Sequence, residues 1–161
     1  MPMSSSSSAT ASTDAIEREI HIAAPPRRVW ELLTTAGHLG TWFGDAGAEI
    51  DLRPGGALQL RWTEHGTVHG RVEAVEAPTR FTFRWGPAPD GGAVQAGDGT
   101  STLVEFTLAE ADGGTVLRVV ESGFSTLAAD ADERARKLAG NTEGWRLELE
   151  ELRAHAEAAG A

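Results

Sequence analysis

Glu121 is the residue of this chain with the most chemical promise. It follows Leu117 and Val119 at a spacing of two, so in a strand it shares their apolar face. A carboxylate on such a face could serve as an acid, a base or an anchor for a ligand. The plainer reading is a strand-end position that is wet or paired with an arginine, because charged side chains are seldom buried without a partner. Asn141 is the other polar residue of interest; beside an apolar stripe, it is expected either to face solvent or to reach a cavity edge.

Other chemistries find little support. His21, His38, His65, His69 and His155 are scattered; His65 and His69 are four apart but flank a turn and a strand, so no metal site is expected. Cysteine is absent, which removes disulfides, thiolate metal sites and a cysteine nucleophile. Gly55-Gly56 and Gly91-Gly92 read as turns rather than phosphate loops, and no serine elbow is present. No cofactor is expected. The balance of 14 Lys+Arg against 24 Asp+Glu gives a net charge of −10, which disfavours nucleic acid and anionic membranes as partners.

The elements that would position these groups follow from periodicity. Ile16, Ile20 and Ile22 alternate with polar residues as a first strand. Pro25-Pro26 opens a helix carrying Val29, Leu32, Leu33 and Ala36, and a second short helix covers His38 to Phe43. About six strands follow, marked by Ile50 and Leu52, by Leu58, Leu60 and Trp62, by Val68, Val72 and Val75, by Phe81, Phe83 and Trp85, by Val104, Phe106 and Leu108, and by Leu117, Val119 and Glu121. Arg61, Arg71 and Arg84 alternate with these and are expected to face water. Gly86 to Gly99 has no period and reads as a flexible loop.

The last segment, Asp132 to Ala156, is a long helix. Leu138, Thr142, Trp145, Leu149, Leu152 and Ala156 follow at spacings of four, three, four, three and four. Gly140 and Gly144 interrupt it, each at a cost of about 1 kcal/mol against alanine. Their expected use is a close backbone approach or a bend. The whole is an α+β arrangement, with helices on one face of an antiparallel meander. Residues 1–15 are Ser/Thr/Ala-rich and are expected to form a disordered tail before a single domain over 16–157. No apolar run approaches ~20 residues and no export signal is evident, so a cytoplasmic protein is expected.

Pro25 to Leu33 followed by Trp42-Phe43-Gly44 resembles the opening of START-like (SRPBCC) domains. Arg53-Pro54-Gly55-Gly56, Gly70-Arg71-Val72, Pro78 with Phe81 to Trp85, Gly114-Thr115, Ser122-Gly123-Phe124 and Gly144-Trp145 with Leu149 and Leu152 are similar to one branch. That branch is the bacterial group named after the activator of the Hsp90 ATPase. The resemblance covers about residues 16–156. It implies a helix-grip fold: a curved antiparallel sheet of about seven strands around the long C-terminal helix, with two short helices after the first strand. It also implies a cavity for an apolar or amphipathic small molecule.

With that fold, the wall would draw on Leu60, Trp62, Phe81, Phe83, Trp85, Val104, Phe106, Leu117, Val119 and Glu121. Leu58 belongs to the same face, and the helix would add Leu138, Thr142, Trp145 and Leu149. Trp42 and Phe43 would sit at the entrance. Three functions are compatible with this set: a small-molecule binder, a polyketide cyclase- or aromatase-like enzyme with Glu121 as acid/base, and a chaperone-linked or stress-response interaction module. The chain is expected to be a monomer or a homodimer.

Overall fold

The computed structural model describes residues 14–63, 66–86 and 101–159. The expected tail lies outside these residues except for Asp14 and Ala15, and so does the expected loop after Gly86. Strand β1 spans Ala15–Ile22, and two helices follow, α1 at Pro26–Thr34 and α2 at Ala36–Trp42. Pro26 occupies the first turn of α1, where a missing N–H leaves no hydrogen bond unmade. Gly37 and Gly40 both lie inside α2, which starts two residues before the expected His38.

Six strands come next: β2 (Ala48–Ile50), β3 (Ala57–Trp62), β4 (Gly66–Glu76), β5 (Arg80–Gly86), β6 (Thr102–Ala111) and β7 (Gly114–Ser122). They form one seven-stranded sheet in the order β1-β7-β6-β5-β4-β3-β2, antiparallel throughout. Short turns make this meander. The β6–β7 hairpin turns on Asp112 (φ 51°) and Gly113 (φ 78°), the two left-handed residues that a tight hairpin of the right twist demands. A turn of 3₁₀ helix at Phe124–Thr126 leads to α3, which runs from Ala131 to Ala159.

Alternation sorts the two faces of the sheet. Leu58, Leu60, Val72, Phe81, Phe83, Val104, Phe106, Leu117 and Val119 are buried on the inner face. The outer face carries ion pairs such as the exposed Arg118–Glu17 and the half-buried Arg80–Glu105. Of the three arginines expected in water, Arg71 is exposed, while Arg61 and Arg84 are half-buried. Phe81, Phe83 and Phe106 contact one another through their rings, so the middle of the inner face is packed solid.

Helix α3 buries its apolar stripe fully only from Trp145 onward. Trp145, Leu149, Leu152 and Ala156 are buried, whereas Leu138 and Thr142 are only half-buried and most residues before Asn141 are exposed. The C-terminal half is held beside β1: the Ala23 backbone N–H donates to Glu157 Oε2 at 2.9 Å. At the other end Asp130 caps the helix, its Oδ1 accepting from the Glu133 N–H at 2.8 Å. The N-terminal half therefore stands over the sheet without filling the space beneath it.

Candidate functional site

That space is a cavity of about 440 Å³. Its sheet side is built by Trp62 at the end of β3, Val68 of β4, Trp85 and Gly86 of β5, and Thr102 at the start of β6. Phe43, just after α2, closes one side. The trailing Gly44 lets this segment approach β3, for a Cβ there would sit 2.9 Å from the Arg61 carbonyl. The helix side is Lys137, Gly140, Asn141, Gly144, Trp145 and Glu148.

Of the two uses expected for Gly140 and Gly144, the close backbone approach is not found. A Cβ at either would meet no atom within 4 Å, so neither marks a close backbone approach, and α3 is continuous through both. The missing side chains leave the helix wall of the cavity open.

The aromatic residues form a contiguous wall. Phe43 lies 5.3 Å from Trp62, 5.5 Å from Trp85 and 5.4 Å from Trp145, centroid to centroid. Trp62–Trp85 and Trp85–Trp145 are 6.2 and 5.7 Å apart. These separations are those of mutually packed rings.

Behind the wall lies Glu121. It is fully buried, neither wet nor paired with an arginine. Its Oε1 accepts from Trp145 Nε1 at 2.8 Å, and its Oε2 accepts from Trp85 Nε1 at 2.8 Å and Thr102 Oγ1 at 2.5 Å. Asn141 Nδ2 lies 3.1 Å from both oxygens. All four donors line the cavity, yet Glu121 is not among its lining residues. The carboxylate thus ties three strands and α3 together through the residues that form the wall.

The carboxyl that does line the cavity is Glu148, one turn past Trp145. Burial pushes it up to about 7; the Trp62 indole N–H, 3.3 Å away, opposes that rise and the nearby Glu151 and Asp45 carboxylates add to it. A raised carboxyl pKa means that ionisation works against the fold. Stability should fall as pH climbs from the ordinary carboxylate range through 7. Glu148→Gln removes the ionisation and keeps an acceptor for Trp62. Its melting temperature should match the parent at about pH 5 and exceed it by about 2–4 °C at about pH 8, for a screened effect of about 1 kcal/mol. Equal melting temperatures at both values would refute this.

Of the wall residues expected from sequence, Phe43, Trp62, Trp85 and Trp145 line this cavity. Leu58, Leu60, Phe81, Phe83, Val104, Phe106, Leu117, Val119 and Leu149 lie in the packed interior instead. Leu138 packs on that interior from its margin, and Thr142 turns its hydroxyl to the Leu138 carbonyl at 2.7 Å. Trp42 is buried, stacked on Phe43 and donating to the Leu32 carbonyl at 2.7 Å. Thr102, Lys137 and Glu148 were not singled out by sequence. Lys137, Asn141, Gly144 and Glu148 are spaced four, three and four apart, a second helical stripe beside the apolar one.

A sheet of this order, two short helices after its first strand and a long closing helix are the helix-grip architecture of START-like (SRPBCC) domains. The family model described as Activator of Hsp90 ATPase homolog 1-like protein matches residues 23–157. The chain belongs to this family. Among curated proteins no match was found. Among solved structures, a protein from Mesorhizobium loti is 23% identical with a TM-score of 0.71, over 87% of this chain and 94% of its own. The Aha1 dimer from Colwellia psychrerythraea is 19% identical with a TM-score of 0.69, over 89% and 96%. DynU16, a protein in the dynemicin biosynthetic locus, is 21% identical with a TM-score of 0.69; the match covers 91% of this chain and 48% of DynU16. At such identities the likeness is one of fold. No helix among the described residues is long and apolar enough to cross a membrane.

Proposed function

We propose that this member of the activator-of-Hsp90-ATPase-like family is a small-molecule-binding protein. Residues 16–157 act as one domain that holds an apolar or amphipathic molecule between β3–β6 and the first half of α3. The observation that carries this reading is the aromatic-walled cavity kept open by Gly140 and Gly144. Its volume suits a small organic ligand, for which pockets of about 300–1,000 Å³ are usual. A helix gains nothing in stability from two interior glycines with nothing packed on them, so room is the benefit they offer.

Thermal denaturation with phenylbutanol tests the reading. At a hundred times its Kd, a ligand specific for the folded state adds about 2.7 kcal/mol, or about 5–10 °C. No shift at saturating probe, across a panel of similar apolar alcohols, counts against it.

Glu148 favours a second reading, a cyclase- or aromatase-like enzyme. A cavity-facing carboxyl that titrates at about 7 is poised for proton transfer at neutral pH. Glu121 is less suited, since four protein donors already occupy its oxygens. Recovery of a bound ligand unchanged after incubation argues for the binder. The interaction-module reading has less behind it: among the described residues only Leu52 and Leu147 are large exposed apolar side chains, on separate elements. The Colwellia protein was solved as a dimer, and a homodimer is the alternative to a monomer here.

A further inference from the structure

We propose that the ligand bears an organic cation, a protonated amine or a quaternary ammonium, seated against the aromatic wall at the Glu148 end of the cavity. This rests on the reading of the cavity as a ligand site and specifies the class of ligand.

The first argument is the inventory of donors. Among the described lining residues, five neutral side chains carry N–H or O–H groups, and each directs one at a carboxylate. Trp85, Thr102, Asn141 and Trp145 point theirs at Glu121, and Trp62 points its own at Glu148. An anionic or acceptor-rich ligand would have to compete with these bonds. The lining keeps acceptors to offer, in Glu148 and the Asn141 carbonyl oxygen, which suit a ligand that donates.

Charge points the same way. Glu121 has no basic side chain among its hydrogen-bond partners, and Glu148 has Asp45 and Glu151 for neighbours. The single cation among the described lining residues, Lys137, is exposed. It precedes Glu148 by eleven residues, about 16 Å along a helix axis. That exceeds the screening length of about 8 Å at physiological salt. The potential at the Glu148 end is therefore set by carboxylates.

The wall supplies the third element. Each indole presents its positive N–H edge to a carboxylate, which leaves ring carbon and π density for the cavity, and Phe43 adds a ring with no polar edge. A cation within about 6 Å of such rings is attracted by their quadrupoles, most strongly where water is excluded.

The test compares phenylbutylamine, phenylbutanol and phenylbutanoate by isothermal titration at about pH 8, where Glu148 carries its charge. The amine should bind at least about tenfold more tightly than the alcohol, and the carboxylate most weakly. Glu148→Gln should bring the ratio of amine to alcohol affinity close to one. An alcohol that binds as tightly as the amine, a carboxylate that binds best, or an amine preference that survives in Glu148→Gln would overturn the proposal while leaving the cavity as a ligand site. If none of the three binds, the cavity reading falls as well.

Discussion

Glu121→Ala is expected to destabilise this protein by about 3 kcal/mol or more, lowering its melting temperature by about 6–12 °C. The substitution deletes a carboxylate with no exposed surface, but the loss is mainly on the other side of its bonds. Trp145 Nε1 and Thr102 Oγ1 are left buried without an acceptor, and each such orphan costs about 1–3 kcal/mol. Trp85 and Asn141 lose their acceptor too, which releases β5 and α3 from β7. Glu121→Gln should be milder yet still destabilising, because its amide sets an NH₂ group among donors. A catalytic acid held in an otherwise self-sufficient site behaves differently, losing turnover with little change in melting. Denaturation of both variants separates the two cases, and a melting temperature unchanged in Glu121→Ala would contradict the clasp described above.

Gly144→Leu should do two opposed things. Replacing an interior helix glycine favours the helix by about 1 kcal/mol, or about 2–4 °C, provided the new side chain meets no obstacle. A Cβ at Gly144 meets nothing within 4 Å, and its φ is not in the left-handed region. The rest of the leucine then occupies the cavity beside Trp145. Affinity for phenylbutanol should fall at least about tenfold, the equivalent of 1.4 kcal/mol. Gly140→Ala and Gly144→Ala isolate the first effect, because a methyl group takes little of the volume. A glycine retained for close packing predicts the reverse, destabilisation by every substitution. Denaturation curves beside a binding isotherm distinguish these outcomes.

The fold was largely legible because its signals are local. Period-two alternation marks seven strands whose neighbours in sequence are mostly neighbours in the sheet, and Asp112-Gly113 pins the β6–β7 register. The stripe on α3 predicts burial correctly from Trp145 onward. It overstates it at Leu138 and Thr142, because periodicity reports which face is apolar and not how far the sheet extends beneath it. The facing of Glu121 was readable from Leu117 and Val119. Its partners were not, since they come from β5, β6 and two turns of α3 and no spacing rule links them. Most of the expected wall proved to be interior for a related reason: alternation separates inside from outside but does not tell packed core from cavity lining. Gly140 and Gly144 gave the opposite error. Two glycines four apart suggest a close approach, and only the surrounding atoms reveal that the space is open.

The claim on which the rest depends is that a small molecule occupies the space bounded by Phe43, Trp62, Trp85 and Trp145. The chain has five tryptophans, each with its own indole N–H resonance, and three of them line the cavity. Titration of the ¹⁵N-labelled protein with phenylbutanol should shift the resonances of Trp62, Trp85 and Trp145 along one saturable curve. Trp30, packed edge-on to Phe81 away from the cavity lining, should stay in place. Indole resonances that do not move at saturating probe, or that all move alike without saturation, would contradict the account.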